Sequence, residues 1–241
     1  MKDFFYFTTP VPESGLPMFD SHSHIHYPDF DNDREEVIDR AKSAGLSSVL
    51  CVGTDLEDSK EAIQLARQYP GFLYASVGNH PYEANQSMDQ FEQLISQNPD
   101  TVVAIGETGL DYFRSPISKE IQQESFRQHC LLSVKLDLPI IIHLREFADT
   151  FDDAWQILAE TQTTKAVFHC YTGDLNCARK IWNKGYKTSF GLITFYPKNK
   201  DLLEVYSVCP ENRKLHETDS PYLPPADLRG QRNEPSYLVR I

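Results

Sequence analysis

Near the start of the chain His22, His24 and His26 alternate with other residues. Side chains two apart on a strand point to the same side, so imidazoles at a strand's end can converge on one ion. Further along, apolar runs end on residues of the same chemistry. Glu107 follows residues 101–105, His143 follows 139–142, His169 follows 165–168, and Asp219 follows 213–217. Imidazole and carboxylate donors without a thiolate suit Zn, Mn, Fe or Mg rather than a structural thiolate site. Four histidines and two carboxylates exceed what one tetrahedral ion needs. They suit two ions a few ångströms apart sharing a carboxylate, a pair that activates a water and neutralises charge on a phosphoryl or acyl oxygen. Any one of these histidines alone reads as a buried structural residue. Strand ends that supply only His and acid are different, because unpaired imidazoles and charges in one mouth are unfavourable unless something binds them.

The elements that would gather these residues are legible as an alternation of short apolar and longer amphipathic runs. Residues 16–20 lead into a first strand, and further strands are expected at 48–52, 72–77, 101–105, 139–142, 165–168, 186–190 and 213–217. Helices are expected at 32–44, 56–68, 88–97, 118–136, 147–160, 175–184 and 200–208. Several strands are apolar throughout, as in a parallel sheet buried on both faces. Eight such units in a chain of 241 residues point to an α/β protein of the (β/α)8 TIM-barrel class, with an open doubly wound sheet as the alternative. In a barrel all the strand ends form one face, where active sites are built. The expected organisation is one barrel over residues 18–241 behind an N-terminal extension, residues 1–17.

A net charge of −12 argues against a broad basic face that coats nucleic acid, though not against a local grip on one strand end. The five cysteines, at 51, 130, 170, 177 and 209, are odd in number and lack CxxC spacing, which reads as reduced thiols in a cytoplasmic protein. Residues 1–17 lack the basic start and apolar run of a signal peptide, and no stretch has the length and apolarity of a membrane span.

Taken in order, Asp20-Ser21-His22-Ser23-His24, Gly78-Asn79-His80-Pro81, Gly106-Glu107-Thr108-Gly109-Leu110-Asp111-Tyr112, Ile142-His143-Leu144-Arg145, His169-Cys170-Tyr171-Thr172-Gly173 and Glu217-Thr218-Asp219-Ser220-Pro221 resemble the motifs of the TatD family. These are metal-dependent deoxyribonucleases of the amidohydrolase superfamily. The resemblance runs from about Met18 to the end of the chain. It implies a TIM barrel with two metal positions, one held by His22, His24 and Asp219 and the other by His143 and His169, with Glu107 bridging. It also implies phosphodiester cleavage in DNA, often from the 3′ end, with magnesium, manganese or zinc.

On this basis the expected function is a metal-dependent hydrolase, a 3′ to 5′ DNA exonuclease acting on single-stranded or frayed ends through a water activated by two ions. Asp219 is expected to be the general base, and Glu107 the shared catalytic carboxylate. Arg145 and His80 are expected to meet the phosphate, and Tyr112 and its neighbour Phe113 to stack on a base. Glu217 is expected to hold a neighbouring loop or ligand, and His216 to point into the helical layer. His26, where similar chains often carry Asp, is expected to face solvent. One alternative is a carboxyl-ester or amide hydrolase on the same metals, such as an aminoacyl-tRNA deacylase. Another is a non-catalytic binding protein with a relic site. The last helix, opening near Asn233-Glu234-Pro235, is expected to be incomplete, with Phe4, Phe5, Tyr6 and Phe7 covering the bare surface. The sequence leaves the oligomeric state open.

Overall fold

The computed structural model describes residues 18–241. Phe4 to Phe7, and with them the expectation that they cover the last helix, lie outside the described residues. Eight parallel strands follow one another round the sheet in chain order. They are β1 (Met18–Ser23), β2 (Leu46–Val52), β3 (Leu73–Val77), β4 (Val102–Asp111), β5 (Ile140–Arg145), β6 (Ala166–Phe168), β7 (Lys187–Phe190) and β8 (Lys214–His216). The intervening α-helices are α1 (Arg34–Ser43), α2 (Leu56–Gln68), α3 (Phe91–Ser96), α4 (Lys119–Leu136), α5 (Phe147–Glu160), α6 (Leu175–Lys184) and α7 (Lys200–Val208). This is the (β/α)8 barrel.

Alternation along the strands divides the core. Leu50, Val52, Val103, Ala104, Ile141, Val167 and Leu215 form a buried cluster of their own. Ile141 shares a face with His143, two residues on, so this cluster fills the barrel interior beneath the strand-end histidines. A larger cluster, including Val49, Cys51, Phe126, Phe151, Phe168 and Trp182, packs the sheet against the helices. Each face of the sheet is thereby buried, which is why the strands read as continuous apolar runs.

Several elements differ from the sequence expectation, β4, α3 and the last helix among them. β4 does not stop at Ile105 but runs ten residues to Asp111. Its second half pairs with β5, from Thr108 opposite Ile142 to Asp111 opposite Arg145. The Gly-Glu-Thr-Gly stretch that looks like a strand end is therefore inside a strand. Gly109 has φ +142, and a Cβ there would run into the carbonyl oxygen of His143, so only glycine lets β4 and β5 approach here. α3 begins at Phe91 rather than 88. The last helix is a 3-10 turn, Pro235–Arg240, with Pro235 in its first position. It packs on α1 and β1, burying Leu238. Glu234 just before it receives three hydrogen bonds from Arg40 of α1, at 2.9, 3.1 and 2.6 Å.

The seam between β1 and β8 is held mostly by side chains and loop backbone. Asp20 on β1 accepts from the Thr218 backbone N–H at 2.9 Å and from its hydroxyl at 2.6 Å. Ser23 bridges to Ser220, with their hydroxyls 2.8 Å apart. The His24 N–H donates to the Ser220 carbonyl at 2.7 Å, and the Asp219 N–H donates to the His22 carbonyl at 2.9 Å. Asp20→Ala would orphan a buried amide and a buried hydroxyl, each worth about 1–3 kcal/mol. Its urea-unfolding midpoint is expected to fall well below wild type, with Asp20→Asn, which keeps one acceptor, in between. An unchanged midpoint for Asp20→Ala would show that the seam does not depend on this carboxylate.

Candidate metal centre

Glu107 sits buried on β4 with its two oxygens turned to two groups of donors. Oε2 lies 3.3 Å from His22 Nε2 and 3.9 Å from His24 Nε2. Asp219 completes that side, its Oδ1 3.8 Å from His22 Nε2 and 3.7 Å from His24 Nε2. Oε1 lies 2.7 Å from His143 Nδ1 and 2.8 Å from His169 Nε2, and these two nitrogens are 3.2 Å apart. His80 approaches the same oxygen at 3.8 Å. Three overlapping groups each keep their ligand atoms within 4.8 Å of one another: His22, His24 and Asp219; His22, Glu107 and His169; His80, Glu107 and His143. The structure thus brings together His22, His24, Glu107, His143, His169 and Asp219, and adds His80.

The strands account for this convergence. His22 lies on β1 and His24 just past it, Glu107 and His143 within β4 and β5, and His169 and Asp219 on the turns after β6 and β8. The β1–β8 seam sets His22 and His24 against Asp219. Close packing at Gly109 sets the Glu107 strand against the His143 strand.

The donor chemistry fits divalent cations. His24 Nδ1 lies 2.8 Å from the Val52 carbonyl and so carries the hydrogen, leaving Nε2 as a lone pair facing the cluster. His22 Nε2 is 3.3 Å from that lone pair. Buried lone pairs and carboxylates that face one another need a cation between them. His80 is different. Its Nδ1 accepts the Tyr82 N–H at 3.2 Å, so Nε2 carries the hydrogen and offers a donor instead of a ligand.

Electrostatics follow the same geometry. Burial alone would raise the Glu107 carboxyl, but His169, His22 and His80 and the bond from His143 outweigh it and hold the group well below the ordinary carboxylate range. Burial lowers His169 less than Glu107 and Glu217 raise it, so this imidazole is held well above its ordinary range. Burial pushes the Asp219 carboxyl up to about 6 against the opposing pull of His22 and His169. It takes His80 down to about 3.

A surrounding tier of hydrogen bonds holds the ligands. Glu217 Oε1 accepts the Cys170 N–H at 2.6 Å and lies 3.6 Å from His169 Nδ1, while its Oε2 takes the Ser189 hydroxyl. Glu217 therefore fixes the turn carrying His169. His216 meets the Tyr206 hydroxyl of α7 at 3.2 Å, in the helical layer. His26 is a correction: it is buried, not solvent-facing, and its Nε2 lies 2.9 Å from Asp58 Oδ1. Asp58 also accepts from the Thr54 N–H and hydroxyl, each at 2.8 Å, and the Thr54 carbonyl takes the His80 N–H at 2.8 Å.

Asp111 and His129 carry weight that the sequence reading did not assign them. Asp111 accepts from the Phe113 and Arg114 N–H groups at 3.1 and 2.8 Å, and its other oxygen is 3.2 Å from Arg145 Nε. Burial opposes its ionisation, yet His143 and these backbone donors hold it well below the usual range. The motif ending Leu110-Asp111-Tyr112 was the available signal. His129, on α4, is fully buried. Its Nδ1 donates to the Ser125 carbonyl at 2.7 Å and its Nε2 accepts the Asn79 N–H at 2.9 Å, one residue before His80. Nothing local in the sequence marks it.

The two remaining expected contacts stand at the rim. Arg145 is 37% exposed beyond its contact with Asp111. Tyr112 is drawn aside: its hydroxyl donates to Asp153 at 2.8 Å and accepts from Gln123 at 2.8 Å, and Lys119 lies over its ring at 4.3 Å.

Comparison with known proteins agrees with this fold. The profile of the family described as TatD related DNase matches residues 19–241. A Bacillus subtilis protein named as a metal-dependent hydrolase is 37% identical over 228 residues, covering 93% of this chain and 88% of its own. A 3'-5' ssDNA/RNA exonuclease TatD of Pectobacterium atrosepticum is 34% identical over 234 residues, with the same 93% and 88% coverage. The crystal structure of a TatD homologue from Escherichia coli superposes with a TM-score of 0.85 at 31% identity, covering 92% of this chain and 86% of its own.

His129 yields a pH prediction. An imidazole with the ordinary value of 6.5 is pushed down to about 4 here, by burial first and against the bond to Ser125. Between those values the folded chain binds fewer protons than the unfolded one, so this group's share of stability is intact above 6.5 and is lost as the pH falls towards 4. NMR of the His129 ring is expected to show a neutral Nδ1–H imidazole throughout the pH range above about 5. A titration midpoint near the ordinary value would contradict the assigned hydrogen bonds.

Proposed function

Because the chain belongs to the TatD-related DNase family, and is a metal-dependent hydrolase, we propose that it removes nucleotides from the 3′ end of DNA, single-stranded or frayed, with two divalent ions. The observation that carries this reading is Glu107, one oxygen turned to His22 and His24 and the other to His143 and His169. One ion would be held by His22, His24 and Asp219, the other by His143 and His169, with Glu107 serving both. Magnesium, manganese and zinc suit this donor set.

Bound there, the ions supply Lewis-acid polarisation of a phosphoryl oxygen and acidify the attacking water. The chain's own residues do the rest. Asp219, a carboxylate set beside His22 and His24, takes the proton of the attacking water. Glu107, held ionised by its imidazoles, keeps its shape and charge through the reaction. His80 directs an N–H at a non-bridging oxygen, and the exposed part of the Arg145 guanidinium adds a second donor. The leaving 3′ oxygen is protonated by solvent.

The relatives named as 3'-5' ssDNA/RNA exonucleases support the polymer and polarity. No helix among the described residues is long and apolar enough to cross a membrane. The cysteines are all free, which suits a reducing compartment, and we place the enzyme in the cytoplasm.

Metal analysis of the loaded protein is expected to find two ions per chain, and chelation to abolish turnover of single-stranded DNA. Asp219→Asn is expected to lower kcat by about a hundredfold or more while leaving most of the metal bound, since Asn keeps the shape but takes no proton. Near-normal turnover in that variant would remove Asp219 as base. A wild-type protein that hydrolyses aminoacyl-tRNA and no DNA or RNA would overturn the substrate.

A further inference from the structure

Three large aromatic side chains are well exposed among the described residues: Tyr82 at 38%, Phe113 at 67% and Tyr222 at 53%. All three lie on loops that follow strands, after β3, β4 and β8, and so on the face that carries the metal cluster. Aromatic rings scattered by chance would also appear on the helices and on the opposite face. Most other aromatics are drawn into the core, and even the rim residue Tyr112 is held by Asp153 and Gln123. Solvent exposure of large rings confined to the catalytic face marks a binding surface.

Two of the three rings flank the cluster. The Tyr82 ring meets the His80 ring edge-on at 4.6 Å, and His80 meets His143 at 4.6 Å, on the Oε1 side of Glu107. The Tyr222 ring meets the His24 ring edge-on at 6.2 Å, on the Oε2 side. Both are fixed by backbone. The Tyr82 N–H donates to His80 Nδ1, the Tyr222 N–H donates to the Asp219 carbonyl at 2.8 Å, and Asn233 holds the Tyr222 carbonyl at 2.6 Å. An edge-on contact with a histidine leaves ring surface for a flat partner.

We propose that Tyr82 and Tyr222 are stacking platforms for the two nucleobases on either side of the scissile phosphate, and that they set the preference for unpaired strands. This rests on the phosphodiesterase reading above. The charge balance points the same way. The chain carries −12, and Arg145 at the rim is shared with Asp111, so phosphate attraction alone gives little grip. Stacking needs no charge and accepts any base, but it requires bases that are free of a duplex.

Affinity can be read without cleavage, by fluorescence anisotropy of a 5′-labelled oligodeoxynucleotide on metal-loaded Asp219→Asn protein. Tyr82→Ala and Tyr222→Ala in that background are each expected to raise Kd about tenfold, while Tyr→Phe at either position stays within about twofold. A strand abasic at its last two 3′ positions is expected to bind the parent about a hundredfold more weakly, as the Tyr82→Ala, Tyr222→Ala double variant binds the normal strand. It should not weaken further on either alanine substitution. In otherwise wild-type protein the alanine changes should raise KM more than they lower kcat. Unchanged Kd values, or equal losses on the normal and abasic strands, overturn the stacking assignment alone. If wild-type protein cleaves neither strand and the parent variant binds neither, the phosphodiesterase reading fails and this inference with it.

Discussion

A carboxylate enclosed at the mouth of a barrel has lost its water and must be stabilised by what surrounds it. Glu107 is such a group, buried on a strand and ringed by His22, His24, His80, His143 and His169. Desolvation disfavours its charge, and the imidazoles more than reverse that effect. Each imidazole in turn needs its outward nitrogen oriented. That requirement extends the site into the second tier of residues and then into the strands. The glycine at 109 exists to let the Glu107 strand lie against the His143 strand, and the Asp20–Thr218 seam exists to bring the first strand's histidines to Asp219.

Residues of one type acquire different work from the backbone group that meets their outer nitrogen. His24 gives its Nδ1 hydrogen to a carbonyl and faces the cluster as a lone pair. His80 receives an N–H at Nδ1 and faces it as a donor. His129 has both nitrogens committed, to Ser125 and Asn79, and is left with a structural task. The loop backbone thus decides which imidazole presents a lone pair to the cluster and which an N–H.

The barrel and the set of converging residues were legible in sequence because both rest on local pattern. Apolar runs mark strands, and position at the end of a run places His22, Glu107, His143, His169 and Asp219 on one face whatever the details between. Alternation was enough to send His216 to Tyr206 in the helical layer. What escaped depended on partners distant in the chain. His26 looks like a solvent-facing residue until Asp58, 32 positions on, is folded against it. The two glycines about Glu107 read as a strand ending, whereas the pairing of Asp111 with Arg145 carries the strand onward. Tyr112 and Tyr222 are indistinguishable as loop aromatics in sequence. Only packing shows that Asp153 claims the first and leaves the second exposed.

The hydrogen bonds from Thr218 to Asp20 join residues 198 positions apart. During synthesis, His22 and His24 leave the ribosome long before Asp219 exists, and domains of this kind fold as units rather than strand by strand. A nascent barrel lacking its eighth strand has the imidazoles of His22 and His24 without Asp219 beside them. Under the proposed two-ion reading, ion binding at His22 and His24 waits for the last turn of the barrel and then acts as a latch on the finished fold. An unfinished or misassembled copy keeps scattered donors, so under that reading hydrolytic competence is coupled to quality of folding.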